Sequence, residues 1–337
     1  MSSKQFSALV AGGADYVQIG EPAYDEEAVW VTLPGVEEDW SHSLHSDYVR
    51  SVFERDGVVY SGSDDDTVVA ADAEDGSEIW THELHSDSVY GVHESDGVVY
   101  SASRDDTVVA ADAEDGSEIW THELHSGSVY GVHESDGVVY SGSDDETVVA
   151  ADASDGSEIW SHSLHSRRVH AVVERDGVVY SASRDDTVKA VDASDGSEIW
   201  SHSLHSDWVR SVFARDGVVY SGDSNDTVKA VDASDQSEIW SHSLHSSYMY
   251  SAVYSVFERD GVVYSGAWDE TVKAVDASDG SEIWSHSLHS DRVWSVFERD
   301  GVVYSGSWDE TVKAVNASDG TDVRLGFDGQ WLPMEGE

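Results

Sequence analysis

From residue 49 to residue 84 the apolar residues fall into four short runs, VRSVFE (49–54), VVYSGS (58–63), TVVAADA (67–73) and EIWTHEL (78–84). Each is bounded by an Asp-Gly pair or an aspartate cluster. None has helical spacing, and valine, tyrosine and tryptophan dominate them, so the pattern predicts four strands, a to d. Asp56-Gly57 supplies a hairpin turn between a and b. Asp64 to Asp66 and Asp75-Gly76 supply the other two.

The whole unit repeats. Its opening Asp-Gly returns at Asp56, Asp96, Asp136, Asp176, Asp216, Asp260 and Asp300, a spacing of 40 residues broken once by 44. A tryptophan returns independently at Trp40, Trp80, Trp120, Trp160, Trp200, Trp240 and Trp284. Units of this length with four antiparallel strands predict an all-β fold, a single β-propeller over residues 1–337.

The segment LHSDYVRSVFERDGVVYSGSDDDTV resembles the WD40 pattern, with His45 at the loop histidine, S-G-S on strand b and Asp65 in the b-to-c turn. The end of strand c departs from it, since Ala71-Asp72 stands where that family has Trp-Asp. Ala70, Asp72, Gly76 and Trp80 instead form A-x-D-x-x-x-G-x-x-x-W, similar to the tryptophan-docking motif of quinoprotein-like (PQQ-type) propellers. Both resemblances cover the repeats at residues 40–320 and imply fold more than activity.

Blade number turns on the ends. Residues 1–39 have strand-like texture at 6–10, 15–19 and 28–33, and DEEAVWVTLPGVEEDW aligns with DDDTVVAADAEDGSEIW once a gap is allowed. Residues 1–39 therefore read as a degenerate blade, 321–327 as a last outer strand and 328–337 as a tail. This gives a preferred count of eight blades. The alternative is seven, with the strand around Trp40 closing the ring beside the final unit.

Charge narrows the function. With 68 acidic and 18 basic residues the net charge is −50, which suits a hydrated surface in concentrated salt and argues against nucleic acid as a partner. Cysteine is absent, so disulfides and thiol catalysis are excluded. No apolar stretch reads as a signal peptide or membrane span, and the expected location is cytoplasmic, with no membrane partner.

Fourteen of the 17 histidines form H-x-x-H pairs such as His42 with His45. On a strand, residues three apart point to opposite faces, so the pairs predict structure rather than a metal site. His42 is expected to pack near Trp40, and His45 to bond Asp65 or Ser61. The aspartate clusters lack a calcium loop's ligand geometry, and Asn225 replaces the middle aspartate in one copy. Serines and histidines repeat in every unit, whereas an active site is one asymmetric place. No metal, cofactor or enzymatic activity is expected.

What differs between copies is informative. Before strand a stand Tyr48, Ser88, Ser128, Arg168, Trp208 and Arg292; two residues on stand Arg50, Tyr90, Tyr130, His170, Arg210, Tyr254 and Trp294. The b-to-c turn varies as Asp64, Arg104, Asp144, Arg184, Ser224, Trp268 and Trp308. All three places are expected on one rim, the usual partner-binding face in the resembling WD40 family, and most arginines are expected to gather there. A four-residue insertion adds Tyr248, Met249 and Tyr250. Arginine, tyrosine and tryptophan dominate binding hot spots, and adaptable aromatic side chains suit recognition loops. The expected function is a non-enzymatic scaffold binding a protein or other macromolecule. The alternatives are a purely structural or oligomerising ring and a quinone- or metal-binding propeller enzyme.

Overall fold

The computed structural model describes residues 42–245 and 252–320, together with the backbone of Ser41 and of two short antiparallel strands, Tyr16–Ile19 and Val29–Thr32. The described repeats form seven four-stranded antiparallel sheets and no helix. In blade 1 the strands are Val49–Arg55, Val58–Ser63, Val68–Asp72 and Glu78–His82. Asp56 and Gly57 both have positive φ, 52° and 83°, the conformation a two-residue hairpin needs.

The ring closes on seven blades, the alternative count. Blade 7 takes strands a to c from Val293–Arg299, Val302–Ser307 and Val312–Asn316, and its outer strand from Ser41–His42. His42 pairs with Val312 as His82 pairs with Val68 in blade 1, so the closing strand keeps the common register. Blade 7 also abuts blade 1 directly, because the Ser295 hydroxyl accepts the Val52 amide at 3.1 Å and Phe53 lies 4.6 Å from Phe297. No eighth blade intervenes. The expected last outer strand at 321–327, the tail, and most of the expected degenerate blade lie outside the described residues.

The core sits between blades. Tyr60, Val68, Ala70 and Trp80 of blade 1 pack with Val89, Val92 and Val99 of blade 2, and the pattern recurs round the ring. Every sheet would expose both faces alone, and closing the blades into a ring gives each face a neighbour. Trp80 docks across the junction, its indole N–H donating to Ala113 O at 3.0 Å. Gly116, at φ 71°, leaves room where a Cβ would lie 2.9 Å from the indole. His82 packs on Trp80 and donates to Asp115 O at 3.0 Å. His42 makes the equivalent bond to Asp75 O at 3.1 Å, while Trp40 lies outside the described residues.

Within each blade the inner histidine ties the turn. His45 Nδ1 lies 3.2 Å from Asp65 and 3.0 Å from the Thr67 hydroxyl, and its Nε2 lies 2.8 Å from the Ser61 hydroxyl. Burial alone would raise the Asp65 carboxyl, but bonds from His45, Thr67 and the Ser46 amide outweigh it and hold it well below the carboxylate range. In blade 5 the acid has moved. Asp223 stands at the place of Ser63 and meets His205 at 3.0 Å, which explains how Asn225 can occupy the turn.

Candidate functional site

Strand a begins with a fully buried valine, Val49 in blade 1, and the residue after it is an extra one in the ladder. The register with strand b shifts between Val49 and Ser51, and the same bulge recurs in every blade. A bulge releases its residue from the alternation that a buried strand imposes and re-aims the side chain. The seven bulge residues are Arg50, Tyr90, Tyr130, His170, Arg210, Tyr254 and Trp294, one of the variable sets.

They meet at one end of the central channel. Tyr90 stacks on Tyr130 at 4.7 Å, Tyr130 lies edge-on to His170 at 5.7 Å, and Arg210 lies 5.2 Å from Tyr254. Tyr254 stacks on Trp294 at 3.9 Å, and Arg50 lies 4.5 Å from Trp294 and 5.6 Å from Tyr90. Burial raises the Tyr130 phenol to about 12 despite Arg168 beside it. It lowers His170 well below the ordinary imidazole value, with Arg210, Arg168 and Arg184 adding to the effect.

The two other variable sets ring this mouth. In each blade the turn residue's amide bonds the carbonyl of the residue before strand a, as Asp64 N does to Tyr48 O at 3.0 Å and Trp308 N to Arg292 O at 3.1 Å. All three sets therefore share one rim. Tyr48 stacks on Trp308 at 4.4 Å, and Trp308 on Trp294 at 5.4 Å. The Arg292 guanidinium lies 3.0 Å from Trp268 and 3.9 Å from Trp308. Opposite, Arg168 lies over Tyr130 and pairs with Asp144 at 2.6 Å, while Arg184 lies 3.4 Å from the Trp208 ring centre. Arg104 is exposed and 3.8 Å from Asp87.

The structure thus brings together Tyr48, Arg50, Tyr90, Arg104, Tyr130, Arg168, His170, Arg184, Trp208, Arg210, Tyr254, Trp268, Arg292, Trp294 and Trp308. Tyr248 and Tyr250 of the insertion lie outside the described residues. In that blade Ala252 takes the place before strand a, its carbonyl accepting the Trp268 amide at 3.0 Å. Not every arginine belongs to this rim. Arg55, Arg215 and Arg259 reach buried glutamates of the next blade, Glu94, Glu258 and Glu298, at 3.4 to 3.6 Å on the opposite rim. Arg175, facing Ala214 where a glutamate would stand, donates to the Ala214 carbonyl instead, at 3.4 Å.

A second inner layer escaped sequence reasoning. Phe53, His93, His133, Val173, Phe213, Phe257 and Phe297 occupy one place on successive inner strands, and His93 lies 4.6 Å from Phe53 and 4.4 Å from His133. The signal was present, since His93, His133 and His170 are the three histidines outside the H-x-x-H pairs. Burial lowers His133 to about 4, with Arg175 adding to it. Among the described residues, no group of three or more His, Cys, Asp or Glu is placed to hold a metal ion.

No curated protein matches the chain in sequence. Among solved structures, the WD40 β-propeller domain of Doa1 superposes with a TM-score of 0.72 at 24% identity, covering 83% of this chain and 96% of that one. The computationally designed protein Ika8 gives 0.66 at 24% identity, covering 81% and 97%. Both likenesses concern the fold. Residues 23–139, 104–251 and 224–324 match the PQQ-like repeat family described as outer membrane protein assembly factor BamB, and together these ranges span all seven blades. With its docked tryptophans and repeated c-to-d turns, the chain belongs to that PQQ-like repeat family.

Proposed function

We propose that this propeller is a non-enzymatic scaffold that recognises a protein or other macromolecular partner through the variable rim. One observation carries the reading: near-identical blades differ chiefly at three places, and those places converge on a single mouth. Unselected differences would have no reason to concentrate large aromatic and guanidinium groups at one end of an otherwise acidic ring. The partner in this reading is met in a salt-rich cytoplasm and is neither nucleic acid nor membrane.

A structural reading has its own support, because Tyr48 and Arg50 of blade 1 touch Trp294 and Trp308 of blade 7 across the closure seam. The two readings separate in a pull-down from salt-rich extract. The native chain is compared with a W268S/W294S/W308S variant whose fold is checked by circular dichroism, and with Arg104→Ser, an exposed change away from the seam. Loss of one specific partner from a folded variant supports recognition. Equal recovery by folded variants supports the structural ring.

A further inference from the structure

We propose that Arg184 and Arg210, with His170 beside them, form a receptor for a single oxyanion carried by the ligand. The proposal rests on the reading of this rim as a binding surface and adds the charge of what binds there.

The arginines of the rim are not alike. Arg50 makes a two-pronged ion pair with Asp64, Nε to Oδ1 at 2.8 Å, and Arg168 pairs with Asp144 at 2.6 Å. Arg104 and Arg292 have carboxylates at 3.8 and 3.9 Å. Arg184 and Arg210 have none within ion-pair distance among the described residues. Arg210 occupies the place of Arg50 one half-ring away, but the residue at the place of Asp64 is Ser224, whose hydroxyl accepts Arg210 Nε at 2.7 Å. A neutral oxygen thus replaces the carboxylate that an otherwise identical position uses. In a chain of net charge −50, carboxylates are plentiful and their omission here is unusual.

The two arginines share a neighbour. Arg184 and Arg210 lie 3.4 and 5.5 Å from the same Trp208 ring centre, so both forks bear on one indole. Arg184 Nε and His170 Nε2 are buried without a hydrogen-bond partner. Burial lowers both guanidinium groups and His170, and neighbouring arginines add to it, more than Asp144 near Arg184 and Tyr254 and Asp207 near Arg210 offset. Guanidinium forks match the paired oxygens of a carboxylate or phosphate, and a buried unpaired donor is costly until it is matched.

The test follows the His170 imidazole by nitrogen NMR, the resonance being assigned by its loss in His170→Gln. Inorganic phosphate and acetate are titrated separately into the intact chain at constant ionic strength. A saturable shift with phosphate points to a phosphorylated ligand, one with acetate to a carboxylate ligand, and either supports the receptor. Affinity should fall on the order of tenfold or more in R184Q/R210Q, since each charge-assisted bond is a strong one. No saturable shift, or an equal one in the double variant, overturns the proposal. If R184Q/R210Q still captures the partner that W268S/W294S/W308S loses, the rim binds but its oxyanion receptor does not, which separates this failure from failure of the rim itself.

Discussion

Blade 5 carries a defect that the other blades make measurable. Gln236 stands where six other c-to-d turns have glycine, and it holds φ at 58°. Trp200 of blade 4 keeps its bond to Ala233 O at 2.9 Å but is only half-buried, whereas Trp80, Trp120, Trp160, Trp240 and Trp284 are 5 to 7% exposed. The cause is geometric. At Gly196 an added Cβ would lie 2.9 Å from the Trp160 ring, and at the blade 4 to 5 junction that Cβ exists. Among the described residues, His202 also lacks the packing on its own tryptophan that His82, His122, His162, His242 and His286 make at 5.6 to 5.7 Å.

Gln236→Gly removes left-handed strain of about 1–2 kcal/mol and restores the packing of His202 on Trp200, about 0.5–1.5 kcal/mol. Against this stands about 0.5–1 kcal/mol for the greater freedom of glycine in the unfolded chain. The expected net is a stabilisation of about 1–2 kcal/mol in chemical denaturation at fixed salt. Gly196→Gln, the reverse change, should destabilise by a similar amount or more. A Q236G chain no more stable than the parent, with G196Q also unchanged, would refute glycine-gated docking of the tryptophan.

Three further outcomes are expected. Trp160→Ala should cost about 3–5 kcal/mol, the range for truncating a buried tryptophan, and a loss below about 1 kcal/mol in denaturant would mean the ring is not docked. The melting temperature should rise from dilute to molar salt, because screening shortens charge repulsion from about 10 Å to about 3 Å, and a flat profile would contradict this. Burial holds His133 at about 4 against 6.5, so its neutral form contributes stability above pH 6.5 that is lost as pH falls towards 4, about 3 kcal/mol in all. His133→Phe, copying Phe213 in the same layer, should flatten that acid limb relative to the parent; buried glutamates, which act oppositely, are common to both chains.

Much of the fold is legible in the repeats. The hairpin at Asp56-Gly57 and the docking of Trp80 follow from residue types with few alternatives, and the His45 network follows from the WD40-like spacing. Blade number does not follow. A closing strand at Ser41–His42 uses the same register as an ordinary outer strand, so the sequence around Trp40 reads equally well as the end of a separate blade. The site is half legible. Variation marks the rim, but the bulge that turns Arg50 and its counterparts into the channel mouth carries no glycine or other sequence mark. The exchange of Asp223 for the turn acid at Asn225 was likewise visible only once His205 showed its partner. Nor does one repeat read alone show that Arg210 lacks a carboxylate, because its deficiency appears only beside the Arg50–Asp64 pair.

The claim that one rim recognises the partner is tested most directly by where a photocrosslinker captures it. A benzophenone side chain is placed at Ser128, on the variable rim, and in a separate chain at exposed Glu114, in a turn of the opposite rim. Irradiation in salt-rich extract should give a discrete crosslinked product from the Ser128 chain and none from the Glu114 chain. The same product from both, or from Glu114 alone, would contradict recognition through the variable rim.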